Sequence, residues 1–208
     1  MASSKRIQLT ARRQIGKRGY RPRLMRTTLG ETGSSNVTDS RAELWRAFLS
    51  SGCEPARAAA SAVHTSWQFG YGVEQGDRLL DYVLSGAKRA TAGALRTYER
   101  EGEAIPRPGD FSTVTDGSGI ARCIIRTITV DIVSFDQVDE RFAYDEGEGD
   151  LTLAYWRAVH WDFFVRELAG FGEVATPDMP VVCERFEVVF PLEAAARTYQ
   201  AFGAGGAR

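Results

Sequence analysis

Lys88 and Thr91 lie three residues apart in SGAKRATAGAL, residues 85–95, and both side chains can do chemistry. A threonine hydroxyl becomes a nucleophile only when a base takes its proton. A lysine serves as that base only when burial or neighbouring cations bring its pKa down toward neutrality. Ser-Lys pairs do this without histidine. A plainer role fits the same residues, since a lysine just past a helix end interacts with the helix dipole by about 0.3–1 kcal/mol, and threonine suits a strand. The K-x-x-T spacing alone does not separate the two.

The second candidate is DEGEGD, whose carboxylates at Asp145, Glu146, Glu148 and Asp150 are interleaved with Gly147 and Gly149. One of them could stand beside Lys88 while Asp150 caps the next helix, and repulsion among them would raise at least one pKa. The run could also gather a divalent metal, Mg²⁺ or Mn²⁺, but its spacing is not that of a calcium loop, and a solvated acidic turn is the commoner outcome. His64 and His160 are the only histidines, so Ser-His-Asp triads and multi-histidine metal sites are not leading ideas. Cys53, Cys123 and Cys183 form no C-x-x-C pair, and Cys183 reads as a small buried residue. Trp67, Phe69, Tyr71, Trp156 and Trp161 read first as core, with base stacking left for any that prove exposed.

The elements that must position these groups are legible in outline. GETGSSNVTD, residues 30–39, reads as a linker; Ser40 and Glu43 form a capping box, with Leu44, Trp45, Phe48 and Leu49 at helical spacing after it. An alanine-rich helix is expected over about 56–65, ending near SWQFGYG. Leu79, Leu80, Val83 and Leu84 form the next stripe, with Gly86 as a left-handed stop, so Lys88 follows a helix end and ATAGAL reads as a short buried strand. Past the loop IPRPGD, FSTVTDGSGIARCIIRTITVDIV reads as a hairpin, with Asp116 and Gly117 supplying the positive-φ turn. Asp150 is expected to cap a helix over LTLAYWRAVHWDFFVRELAG that turns Leu153, Trp156, Val159, Phe163 and Leu168 to the core and stops at Gly170. MPVVCERFEVVFP is a closing strand, and residues 193–208 a tail or weak helix. Strands without regular alternation with helices predict an α+β fold, and GxGxxG, P-loop and repeat patterns are absent.

The net charge of -1 hides an asymmetry. Residues 1–30 carry nine Lys or Arg and no acid; the remaining 17 basic residues face 27 acidic ones, so a +9 arm precedes a -10 body. Such an arm can lend nonspecific phosphate affinity by counterion release or be an inert tail, and residues 1–39 are read as a basic, disordered extension. With no span-length apolar run, no secretory h-region and thiol-type cysteines, no membrane partner is expected, and the expected compartment is the cytoplasm.

Taken in order, WQFG, LLDYVLSGAKRATAG, EGEAIPRPGD, DGSG, IIRTITV, FDQVDERFAYDEGEGDLTLAYWRAVHWDFF and MPVVCERFEVVF resemble an ASCH-domain protein of the long, stand-alone bacterial kind, over residues 41–190 of an expected domain at 40–192. The resemblance implies a PUA-like small β-barrel flanked by helices, with a cleft beside G-x-K-x-x-T, here Gly86, Lys88 and Thr91, for single-stranded RNA or a modified nucleoside. In relatives that remove acyl groups from N4-modified cytidine, lysine, threonine and glutamate act together. This implies Lys88 and Thr91, with Glu146 as the glutamate and Glu148 as the competing alignment. Relatives that resemble single-strand-specific ribonucleases imply Lys88 with a nearby tyrosine, here Tyr82. Gly86, Trp67, Phe69 and Glu148 are then expected at the substrate. Gly93 replaces a common serine, and a tryptophan often found soon after is missing from ALRTYERE. The expected function is thus a hydrolase, either a ribonuclease or an N4-acylcytidine amidohydrolase, with a noncatalytic RNA-binding or regulatory module as the alternative.

Overall fold

The computed structural model describes residues 35–59, 62 and 64–205; the basic arm lies outside them. The chain first forms helices α1 (Ser35–Ser50) and α2 (Glu54–Ala59). Strand β1 (His64–Gln68), helix α3 (Gly72–Ser85), strand β2 (Ala90–Ala94) and helix α4 (Leu95–Glu101) follow. The hairpin β3 (Phe111–Thr115) and β4 (Ala121–Ser134) leads to helices α5 (Glu140–Glu146) and α6 (Leu153–Ala169). Strand β5 (Pro180–Phe190) and helix α7 (Leu192–Gly205) complete the order.

The strands form one sheet in the order β1-β3-β4-β5-β2, antiparallel except for the parallel pair β1 and β3. Strand β4 is long enough to pair β3 with its first half and β5 along nearly its whole length. Its register slips between Ile124 and Ile125 and again between Thr127 and Thr129. Such bulges bend a strand and add local twist, and the sheet curls into a half-barrel, the α+β architecture expected from the sequence.

Three apolar clusters fill it. Trp67, Leu80, Val83, Val114, Ile125 and Phe186 pack α3 against the concave sheet. Ala90, Ala92, Phe142, Trp156, Phe164 and Cys183 join β2 and β5 to α5 and α6, and Phe48, Phe111 and Ile124 seat α1. The alanines of β2 leave room for the aromatic side chains of α6, which explains a buried strand of so little hydrophobic bulk. Cys183 is buried as expected, and burial pushes its thiol up to about 12.

Several local expectations are corrected. Helix α1 begins at Ser35, inside the run read as linker, so Ser40 lies within the helix and not at its start; its Oγ accepts from the Ala121 amide at 3.2 Å and ties α1 to β4. Helix α2 is shorter than expected because the chain is already extended at His64. In the hairpin, Asp116 folds the turn by accepting the Ser118 and Ile120 amides, and the positive φ belongs to Gly119. The cap of α6 is Thr152, whose hydroxyl accepts from the Tyr155 amide at 3.1 Å; Asp150 stands behind it, accepting from the Thr152 amide and hydroxyl. Helices α4 and α5 were not foreseen, being short segments where tertiary contacts outweigh propensity. The weak helix expected after β5 is α7, docked through buried Ala194 and Thr198.

Because Thr152 satisfies an otherwise unpaired first-turn amide, Thr152→Ala should lower unfolding free energy by about 1 kcal/mol, read by urea denaturation. Asp150→Ala should cost less, since Thr152 still caps the helix without it.

Candidate functional site

Helix α3 ends where its sequence said it would. Gly86 takes φ 83° and donates its amide to the Val83 carbonyl, and the Lys88 amide donates to Tyr82 O at 3.0 Å. The chain thus leaves α3 in an extended run whose successive side chains point opposite ways. Lys88 goes to one side and Arg89 to the other, and both are buried.

Each meets one of two successive acids at the end of α5. Lys88 Nζ donates to Glu146 Oε2 and, at 2.7 Å, to Glu148 Oε1. Arg89 pairs with Asp145 at 2.8 Å, and its amide donates to the Asp145 carbonyl at 2.9 Å. Asp145 also accepts from Arg185 of β5 at 2.9 Å and lies 3.3 Å from Arg141. Gly147 makes this approach feasible. It adopts φ 70°, and a Cβ there would sit 2.3 Å from the Ala87 carbonyl oxygen, so any side chain would drive the acidic segment away from Lys88.

Glu146 is 1% exposed, and both its carboxylate oxygens have partners. Its Oε1 accepts from Trp156 Nε1 at 3.2 Å and lies 3.3 Å from His160 Nε2, while His160 Nδ1 donates to the Trp156 carbonyl at 3.0 Å. Trp156 and His160, one helical turn apart on α6, stack at 4.3 Å. Burial alone would raise the Glu146 pKa, but the Lys88 ammonium and His160 more than reverse this and hold it below the usual carboxylate range. Burial would likewise lower Lys88, yet the charges of Glu146 and Glu148 overcome it and raise Lys88 above its ordinary value. Lys88 therefore rests as an ammonium. A general base would need the neutral amine, which these charges disfavour.

These groups line a cleft of about 410 Å³, part of it open solvent, between the FGYG segment, β2 and α6. Phe69, Leu79, Val159 and Phe163 form apolar walls; Gln75, Lys88, Thr91, Glu146, Glu148 and His160 supply polar groups. Lys88, Thr91, Glu146, Glu148 and Phe69 thus come together. Tyr82, packed against the main core, and buried Trp67 are outside the lining, as is Gly86, which shapes the turn beneath it. Val159 and Phe163, expected in the core, line the cleft, and Phe163 also packs against the core cluster of α6; Phe164 and Glu167 are the fully buried residues of α6. Sequence reasoning missed His160 and Gln75. Trp156, Val159, His160 and Phe163 share one helical stripe, a signal that could have found His160, whereas nothing in the local sequence marks Gln75.

The four acids of DEGEGD do not converge on a common point. Asp145 turns to arginines, Glu146 and Glu148 to Lys88, and Asp150 to Thr152. Among the described residues, no group of three or more His, Cys, Asp and Glu side chains is arranged to hold a metal ion.

The ASCH-domain family model matches residues 65–190, from β1 through the end of β5 and including every group just described. The chain belongs to the ASCH-domain family. Its fold is similar to the crystal structure of an ASCH domain from Lactobacillus crispatus JV V101, with 32% identity, TM-score 0.67, and coverage of 73% of this chain and 94% of that one. It is also similar to a protein from Enterococcus faecalis V583, with 35% identity, TM-score 0.62, and coverage of 73% and 88%. No curated protein matches the chain. ASCH domains are in general RNA-binding modules on a PUA-like fold. No helix among the described residues of this ASCH protein is long and apolar enough to cross a membrane.

The pairing of Lys88 with Glu146 sets a pH signature. Glu146, lowered from 4.5, stabilises the fold above that pH and loses the contribution as pH falls through its folded value. Lys88, raised from 10.5, contributes below that pH and loses the contribution as pH rises through its own folded value. Lys88→Met should cost about 3–5 kcal/mol at pH 7, because it leaves Glu146 buried without its counter-charge. Burial then favours the neutral acid, so the variant should gain stability relative to the parent between pH 7 and 5; urea unfolding of both proteins at both pH values checks this.

Proposed function

We propose that this ASCH domain is an amidohydrolase whose cleft takes a neutral, acylated nucleobase derivative of the N4-acylcytidine type. The observation that carries the reading is the shared cation: one buried ammonium, Lys88, held by two carboxylates, Glu146 and Glu148, beside Thr91 in an apolar-walled cleft. Aromatic and aliphatic side chains interleaved with polar groups suit a splayed base. An ammonium already divided between two acids has little attraction left for a phosphodiester, which counts against the ribonuclease alternative.

The resting charges assign roles. Glu146, with both oxygens engaged, holds Lys88 in place. Glu148, the more exposed of the two acids, takes the Thr91 proton as Thr91 Oγ bonds to the acyl carbon. Lys88 gives a proton to the departing amine nitrogen as the C–N bond breaks, and the proton on Glu148 passes back to Lys88 across their 2.7 Å contact. Water then attacks the Thr91 ester, leaving its hydroxyl on the acyl group and returning a hydrogen to Thr91. Atoms and charge balance over the cycle. The lysine acts as an acid in this scheme, in keeping with its raised pKa.

Incubation with N4-acetylcytidine, followed by chromatography, should yield cytidine and acetate, and Thr91→Val and Glu148→Gln should each lower kcat/KM by about 10²–10⁴. Cleavage of labelled single-stranded RNA without deacetylation would move the assignment to the phosphodiester reading. Binding without turnover of either would leave an RNA-binding module.

A further inference from the structure

Gln75 is a cleft residue whose hydrogen-bonding sense is fixed by the backbone. Its Oε1 accepts from the Tyr71 amide at 2.9 Å. An amide N–H only donates, so the atom facing it must be the carbonyl oxygen, and the other end of the side chain is an NH₂ with two hydrogens to give. Among the described residues no protein acceptor takes them. Gln75 lines the cleft beside Leu79 and opposite α6.

The loop is shaped around this side chain. Gly70 adopts φ 61°, which disfavours any side chain, and a Cβ there would lie 2.8 Å from Gln75 Cδ and push the glutamine from its place across the turn. Tyr71 stacks on Phe163 at 4.7 Å and 15°, joining the same turn to the opposite wall. The result is a donor oriented by the backbone, in the same cleft as Lys88 and Glu148. Oriented polar groups of this kind discriminate well, because a ligand lacking the matching atom leaves them unpaired.

We infer that Gln75 is a specificity residue that donates from Nε2 to a ring carbonyl oxygen of the bound heterocycle, so that the cleft favours carbonyl-bearing bases over rings of the same size without one. This rests on the nucleobase reading of the cleft proposed above. It does not depend on whether the acyl group is hydrolysed.

The test compares cytosine with 4-aminopyrimidine, the same ring without the carbonyl, by titration calorimetry on the full chain. The parent should prefer cytosine by about tenfold or more, the usual worth of a well-placed base contact. Gln75→Glu keeps an oxygen for the Tyr71 amide but has no donor. It should keep the parent's thermal midpoint, lose the preference, and bind 4-aminopyrimidine no more weakly than the parent does. A Gln75→Glu protein that still prefers cytosine by the parental ratio overturns the donor role while leaving the nucleobase reading intact. A parent that binds neither ring overturns the nucleobase reading, and the role of Gln75 with it.

Discussion

The burial of the Lys88 ammonium between two carboxylates sets the terms for the structure around it. Removing each ion from water costs several kcal/mol, and mutual attraction offsets that only when geometry is close and the remaining lone pairs and protons are satisfied. Glu146 meets the condition through Lys88, Trp156 and His160. Replacing such a pair with apolar groups is often neutral or stabilising, so stability alone is a poor reason for a protein to keep it. A cation held at the base of an open cleft has a chemical use that a leucine there would not.

The framework delivers that geometry by doubling it. Lys88 and Arg89 are neighbours in an extended run, Asp145 and Glu146 are neighbours at a helix end, and the two couples dock residue to residue with a backbone hydrogen bond between them. The half facing the sheet is structural. There Asp145, with Arg89, Arg185 and Arg141 around it, bolts α5 to β2 and β5. The half facing the cleft is left to Lys88 and Glu146. The glycine between Glu146 and Glu148 brings both acids within reach of the same ammonium.

Much of the fold was legible because it rests on local signals. The stripe of α3 with its glycine stop, the DGSG hairpin and the alternation in β5 each predict an element from a handful of residues. Lys88, Thr91, Glu146 and Glu148 were singled out by type and by the resemblance of the motif series. The site groups that escaped notice depend on packing across the chain. His160 matters because α6 lies beside α5, and Gln75 because a turn with φ near 60° at Gly70 brings its side chain back over the loop. The charge state of Lys88, which the sequence left open, turns on the same kind of packing. Burial would lower its pKa, but two acids on one amine reverse that effect, and no spacing in the sequence says that both will arrive.

The sheet order has a bearing on how the protein is made. β2, which carries Thr91, lies at one edge of the sheet with β5 as its strand neighbour, so Ala90 waits for Arg185 and Ala94 for Val181. A nascent chain that has emerged through α3, β3 and β4 holds its hairpin but not its cleft, since closing that long intervening loop is the slow, non-local event. During translation the strand that carries Thr91 is therefore among the last parts to be fastened. Until then, its alanine-rich edge is open to whatever else the cell offers it.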